Sequence, residues 1–343
     1  MKQLIGAAML LALACVVPAS QAQEDDAAAQ PSVIAPLAAK SLLLDLAWAG
    51  KRAIAVGERG HILYSDDEGR SWTQVQAPVS ANLTAVFFAD EREGWAVGHD
   101  EVILRTGDGG LNWERVHFNP EAKRPLLDVW FPAEGAGLAV GAYGAMYRSD
   151  DRGRSWTEVP FEPAPLGGEA AGEGDGLDEF EEGLDLGFEF HLNSIGHGDG
   201  SVLYLAAEAG RLYRSDDGGA TWRELPSPYD GSFYGVLPLD GEAVLAFGLR
   251  GNVFRSDDGG QAWSSIETGT VALLNSALRP SPDVVIIAGL TGVMLVSQDG
   301  GRTFAFSQQE DRKALSGLLW AGDGEVIVGG EAGVRRLYVP GLR

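Results

Sequence analysis

Short apolar runs of four to six residues, broken by glycine-bearing turns, recur along almost the whole chain. From Leu83 to Val116 they resolve into four strands: Leu83 to Phe88, Gly94 to Val97, Val102 to Arg105 and Asn112 to Val116. Alternating side chains and tight turns between neighbours are the pattern of antiparallel hairpins. No stretch carries a convincing helical period. A turn written Gly-x-x-Gly, or a close relative, joins the second and third strands, where glycine supplies positive φ at little cost. It recurs as Gly57 to Gly60, Gly98 to Asp100, Gly141 to Gly144, Ala207 to Gly210, Gly248 to Gly251 and Gly289 to Gly292, and a seventh copy runs from Gly329 to Gly333.

A second motif follows each turn by about ten residues. It approximates Ser-x-Asp-x-Gly-x-Thr-Trp and begins at Ser65, Thr106, Ser149, Ser215, Ser256 and Ser297, at intervals of 41, 43, 66, 41 and 41 residues. Every copy keeps its Asp (Asp67, Asp108, Asp151, Asp217, Asp258, Asp299). It closes on an aromatic: Trp72, Trp113, Trp156, Trp222, Trp263 or Phe304. A period near 40 with one aromatic per unit means radially repeated sheets. In the seventh unit the box has decayed, but Tyr338 stays in phase. The pattern therefore predicts an all-β fold, a single seven-bladed β-propeller of four-stranded antiparallel blades. The box Asp is expected to accept turn amides, as in an Asx turn, and the Trp to wedge between adjacent sheets. The boxes are structural.

Unit seven runs out of sequence after its third strand. Its outer strand is expected from residues 31–38, closing the ring and removing a sheet edge. Residues 1–22 read as a secretory signal peptide, with Lys2, an apolar core from Leu4 to Val17, and small residues near Ala22. Residues 23–30 read as a flexible lead into the propeller at 31–343. The single cysteine, Cys15, lies in the signal, so lipidation is weighed there, with ordinary cleavage preferred and a periplasmic destination expected. The 66-residue interval places an insert at 162–189 that holds ten acids and no Lys or Arg. It reads as a flexible solvated loop between blades three and four. A calcium site using Asp175, Asp178, Glu181 and Glu182 is disfavoured, because no calcium-loop spacing is present.

Charge narrows the partners. Against 49 acidic residues stand 26 basic ones, a net −23, which repels nucleic acid and anionic lipid. No apolar run outside the signal is long enough to span a membrane. His61, His99, His117, His191 and His197 lack zinc-site spacing, and no phosphate-cradling loop is present. Neither a metal nor a cofactor is expected.

The box with its upstream half, read best at Val97 to Trp113 and Val140 to Trp156, resembles the photosystem II assembly and stability factors of cyanobacteria and plastids. The resemblance covers about residues 31–340. It implies a non-catalytic scaffold, exported to a lumen or periplasm, that binds a membrane-protein assembly intermediate. Relatives in bacteria without photosynthesis are often encoded beside resistance–nodulation–division exporters. The family's arginine-rich face is replaced here by scattered basic residues and an acidic insert, so a non-photosynthetic member is expected. The rival reading is a sialidase-like glycoside hydrolase or a carbohydrate-binding propeller, since sialidases share the box. Sialidases, however, have six blades, an arginine triad and a Phe-Arg-Ile-Pro start, and residues 31–64 contain only Arg52 and Arg59, in no such motif. The chain is accordingly expected not to be an enzyme, and to be a monomer.

Binding is expected where the repeats differ, on the face formed by the Gly-x-x-Gly turns and the approaches to first strands. The turns offer Glu58, Arg59, His99, Asp100, Tyr143, Glu208, Arg250 and Glu331. The approaches offer Lys40, Lys123, Arg124, His191, Asn193, Tyr234, Asn275 and Lys313.

Overall fold

The computed structural model describes residues 29–132, 135–166, 190–339 and 341–342. The expected signal peptide at 1–22 and nearly all of the expected insert at 162–189 lie outside these residues. Among the described residues seven antiparallel sheets follow one another, at 43–75, 83–117, 126–158, 192–224, 233–266, 274–308 and 315–338. Six have four strands in simple up-and-down order, and the seventh has three. In blade two the strands are Leu83–Phe88, Gly94–Gly98, Ile103–Thr106 and Glu114–His117, within two residues of the sequence expectation at each boundary.

The first strand of each blade lies innermost. Each touches the first strands of its neighbours, and that of blade seven (Leu315–Gly322) touches that of blade one (Leu43–Ala49), so the ring is continuous. One apolar position opens every first strand: Leu43, Leu83, Leu126, Leu192, Phe233, Leu274 and Leu315, each at most 1% exposed. The second strands are buried on both faces, which explains their unbroken apolar runs.

Each box works as a clamp between blades. Asp67 accepts Ser71 N at 2.8 Å through Oδ1 and Ser71 Oγ at 2.6 Å through Oδ2, while Ser65 Oγ donates to Oδ1 at 2.7 Å. The same Ser65 Oγ accepts Gly69 N at 2.8 Å, a role for the first box residue that its sequence position does not announce. The aromatic then packs on the preceding blade: Trp113 joins Ile54 and Val56 of blade one, and Trp222 joins Leu138 and Val140 of blade three. The box Gly comes so close to that blade that a Cβ at Gly153 would sit 1.9 Å from Trp95 Nε1. Only glycine fits there. In blade seven, which lacks a box aromatic, Val339 and Leu342 pack with Ile286 and Ala288 of blade six.

Arginines stitch the outer rim. Arg52, Arg105, Arg255 and Arg336 each donate to a box-turn carbonyl of the following blade: Gly109, Arg152, Gly300 and Glu68. The last of these, at 2.6 Å, joins blade seven to blade one.

The strand expected from residues 31–38 is not among the strands of the seventh sheet. Ser32 N instead donates to Ala77 O at 2.9 Å, and Ala35 N donates to Gln74 Oε1 at 2.7 Å, both on the blade-one side. Ala35 and Ala38 join the apolar cluster between blades one and seven, and the backbone bond to blade seven comes at Ala39, whose carbonyl accepts Val334 N at 3.0 Å. The hydroxyl of Ser32 and the amide of Gln74 supply bonds that no apolar pattern encodes. They hold the segment off the open sheet.

Candidate protein-binding face and central cavity

The Gly-x-x-Gly turns and the segments leading into first strands share one face, tied by a hydrogen bond that recurs in every blade. The first turn residue donates its N–H to the residue preceding the first strand: Glu58 to Leu42, His99 to Asn82, Ala142 to Pro125, Glu208 to His191, Leu249 to Ser232, Leu290 to Leu273 and Glu331 to Ala314. The seventh repeat, degenerate in its box, is intact here. The next residue is left-handed in six blades, at Arg59, Asp100, Tyr143, Ala209, Arg250 and Thr291, with φ of 52–59°. Non-glycine residues hold that conformation at a modest cost, and its repetition marks it as a property of the scaffold. The turn lifts the side chain at this position toward solvent. Arg59, Arg250 and Tyr143 are exposed there, and His99 is exposed one position earlier.

Other residues expected on this face are already engaged. Arg124 lies over Glu101, a residue fully buried beneath the turn of blade two. Glu101 accepts Arg124 Nε at 2.7 Å, Asn119 Nδ2 at 2.8 Å and Tyr147 Oη at 2.9 Å, and Arg124 reaches Glu158 at 2.9 Å. This network locks blade two to blade three, so Arg124 is a structural residue rather than a free anchor. Burial and the Glu101 hydrogen bond together push the Tyr147 hydroxyl up. Glu101 itself escaped sequence reasoning, because a Glu in a turn reads as solvated. Lys313 pairs with Glu331, which raises the ammonium and lowers the carboxyl, and Lys40 and Lys123 are exposed. Asp100 accepts Asn119 N through its backbone carbonyl at 2.9 Å.

Asn193, Tyr234 and Asn275 do not sit on the approaches. They lie one residue inside the first strands, with Leu44, Thr84, Leu127 and Ser316 at the matching position. All seven line a cavity of about 570 Å³ on the ring axis. At its edge, Glu208 receives His191 N at 3.2 Å and lies 3.5 Å from His191 Nδ1. Tyr143 meets the His191 ring edge-on at 4.9 Å. Burial, with the Glu208 charge adding to it, pushes the Tyr234 hydroxyl up.

The next position holds two carboxylates unmarked by any motif, Asp45 and Asp128. Each sits at an irregularity where its strand bulges against the second strand. Asp45 accepts its neighbour Leu46 N at 2.8 Å and Val86 N of blade two at 2.9 Å. Asp128 repeats this with Val129 N and Ile195 N of blade four, both at 2.8 Å. Burial outweighs these bonds and raises Asp45 to about 7 and Asp128 to about 6. The corresponding residues of the other blades are Ala85, Ser194, Gly235, Ser276 and Gly317, so the sevenfold ring is chemically lopsided. Among the described residues no cluster of His, Cys, Asp and Glu is arranged to hold a metal ion, and no helix is long and apolar enough to cross a membrane.

Fold and repeat define the class: a seven-bladed β-propeller built on Asp-box turns. More narrowly, part of the chain is similar in sequence to photosystem II assembly factors, and the ring is similar in fold to theirs. The sequence profile of the family described as photosynthesis system II assembly factor YCF48 matches residues 11–105. The photosystem II stability/assembly factor HCF136 of Arabidopsis thaliana chloroplasts is 28% identical over 119 residues, covering 32% of this chain and 29% of that protein. The photosystem II assembly protein Ycf48 of Thermosynechococcus vestitus is 37% identical over 43 residues, 12% of each chain. The matched stretch thus spans less than a third of either relative. Solved structures extend the likeness of fold to nearly the full ring. YCF48 bound to a D1 peptide superposes with a TM-score of 0.66 at 17% identity, covering 90% of this chain and 94% of that one. YCF48 from Cyanidioschyzon merolae gives 0.64 at 18% identity, covering 88% and 96%. A streptogramin B lyase gives 0.67 at 12% identity, covering 87% and 93%, so the same fold also carries catalysis elsewhere.

Proposed function

We propose that this chain is a non-catalytic, exported propeller scaffold that binds a segment of a membrane-protein complex, or of its assembly intermediate, on the turn face. The observation that carries this reading is the arrangement of that face. Exposed Arg59, His99, Tyr143 and Arg250 stand on a hydrogen-bonded ring that surrounds an axial cavity lined by Asn193, Tyr234 and Asn275. Rigid scaffolds place recognition on such loops, and aromatic and Arg side chains are frequent anchors. The likeness to a propeller solved with a D1 peptide supports a protein segment as the ligand.

The chain would act from the periplasmic side as a monomer. In a host without photosystems its partner would be another membrane complex, with a resistance–nodulation–division exporter as the first to examine. The test is affinity capture from detergent-solubilised membranes by the protein and by a folded Arg59→Ala, Tyr143→Ala, Arg250→Ala variant. The reading expects the variant to lose the captured membrane proteins. Retention of every partner would place the site elsewhere.

A further inference from the structure

The axial cavity concentrates acidic groups with no Lys or Arg beside them. Outside, carboxylates flanking the strands pair with arginines, as in Arg52 with Asp66, Arg105 with Glu93 and Arg279 with Asp240. Inside, Asp45, Asp128 and Glu208 line the cavity, and none of its lining residues is Lys or Arg. Among the described residues Asp45 and Asp128 pair with no basic side chain. Their hydrogen bonds come from neutral backbone amides and, for Asp128, the Ser194 side chain. Asn275, which also lines the cavity, has a buried Oδ1 that receives no hydrogen bond among the described residues. A cavity of this size falls in the range that encloses side chains and small ligands. Carboxylates held in a desolvated site without a counter-charge are costly, and a guest that brings one relieves that cost.

We infer that the cavity receives a cationic side chain, Lys or Arg, from the bound protein segment, with Glu208 at the entrance and Asp45 and Asp128 as the inner counter-charges. This rests on the proposed protein-binding role and names the chemistry that the same site selects. An arginine guanidinium has five donors, enough in number to serve both carboxylates. Tyr234 and the Tyr143–His191 pair add aromatic surface at the entrance, which favours a cation further. The titratable groups facing Asp45 and Asp128 are each other, Glu208, His191, His197 and Tyr234. Burial keeps the two aspartates partly protonated near neutrality, so a cationic guest binds by expelling protons and gains affinity as pH rises.

The experiment is calorimetric titration of the full chain with the blocked pentapeptide acetyl-Ala-Ala-Arg-Ala-Ala-amide and its citrulline isostere, between pH 5 and pH 8. The arginine peptide is expected to bind at least tenfold more tightly than the citrulline peptide at pH 8. Its advantage should shrink at pH 5. Asp128→Asn and Glu208→Gln should each weaken the arginine peptide at least fivefold, while Asp257→Asn on the outer rim leaves it unchanged. Melting curves identify a variant that fails to fold, and the citrulline and pH comparisons need no variant. Equal binding of the two peptides, no binding of either, or equal effects from Asp257→Asn overturns the inference. Failure here with membrane proteins still captured by the turn face would leave the scaffold reading intact. Charge-selective binding without any captured protein would do the reverse.

Discussion

Asp45 Oδ2 accepts the backbone N–H of Val86 at 2.9 Å, so a side chain of blade one completes the hydrogen bonding of blade two at the ring axis. Between Asp128 and Ile195 the same bond joins blades three and four. Thr84 Oγ1 donates to Leu126 O at 2.6 Å, joining blades two and three, and Asn193 Nδ2 donates to Phe233 O at 2.7 Å, joining blades four and five. The inner wall is thus both the lining of the cavity and a set of seams between sheets.

The titration of Asp45 gives stability a definite slope with pH. Its folded value, about 7, lies above the ordinary carboxylate value, so between roughly pH 4 and pH 7 the native state holds a proton that the unfolded chain has released. Stability from this group is present at low pH and is lost as pH rises through 7. The wild-type chain should therefore lose more stability than Asp45→Asn when moved from pH 5 to pH 8 in urea denaturation. Equal losses would show that the carboxyl is not held in its neutral form.

The box aspartates behave in the opposite sense. Burial opposes the Ser155 and Ser149 hydrogen bonds at Asp151, but the bonds win and hold it at about 2. Its contribution is complete above pH 4 and is lost as pH falls toward 2. Replacing Asp217 by Ala removes its bonds with Thr221 and Ser215 and should cost about 1–2 kcal/mol at neutral pH. Thermal melts at pH 7 and pH 3 check both statements, since the cost of the substitution should shrink at the lower pH.

Removal of the buried partner of Arg124 tests the turn-face network. Glu101→Ala leaves the guanidinium and the Tyr147 hydroxyl without their shared acceptor and should destabilise the fold by about 3–5 kcal/mol. Arg124→Ala, which leaves the buried Glu101 carboxyl without its basic partner, should be comparably severe. Arg250→Ala, at an exposed turn tip, should be nearly silent in the same denaturation assay.

The wedge role predicts that Trp222→Ala costs about 3–5 kcal/mol through the void left against Leu138 and Val140. Differential scanning calorimetry should show the loss as one lowered transition, because the cavity opens between two blades of one ring.

What the sequence made legible follows its periodicity. Strand boundaries, the repeat number and the packing of Trp113 and Trp222 all come from apolar positions that recur, and recurrence is visible in one chain. Glu101, Asp45 and Asp128 occur in one or two blades and have no periodic signature. Their importance arises from desolvation, which only the folded ring creates. The segment at 31–38 is expected in the seventh sheet because that unit lacks an outer strand, yet Gln74 and Ala77 hold it beside blade one. Single side-chain bonds decided that position. On the turn face, Arg59, His99, Tyr143 and Arg250 were located from the repeat, whereas the engagement of Arg124 and Lys313 depended on partners distant in sequence.

Photo-crosslinking in intact cells tests the central claim most directly. A benzophenone amino acid is placed at position 59, 143 or 250 on the turn face, and at position 70 or 302 on the box rim. The scaffold reading predicts adducts to the same membrane protein from the three turn positions and none from the two rim positions. Adducts arising mainly from positions 70 and 302, or from no position, would contradict it.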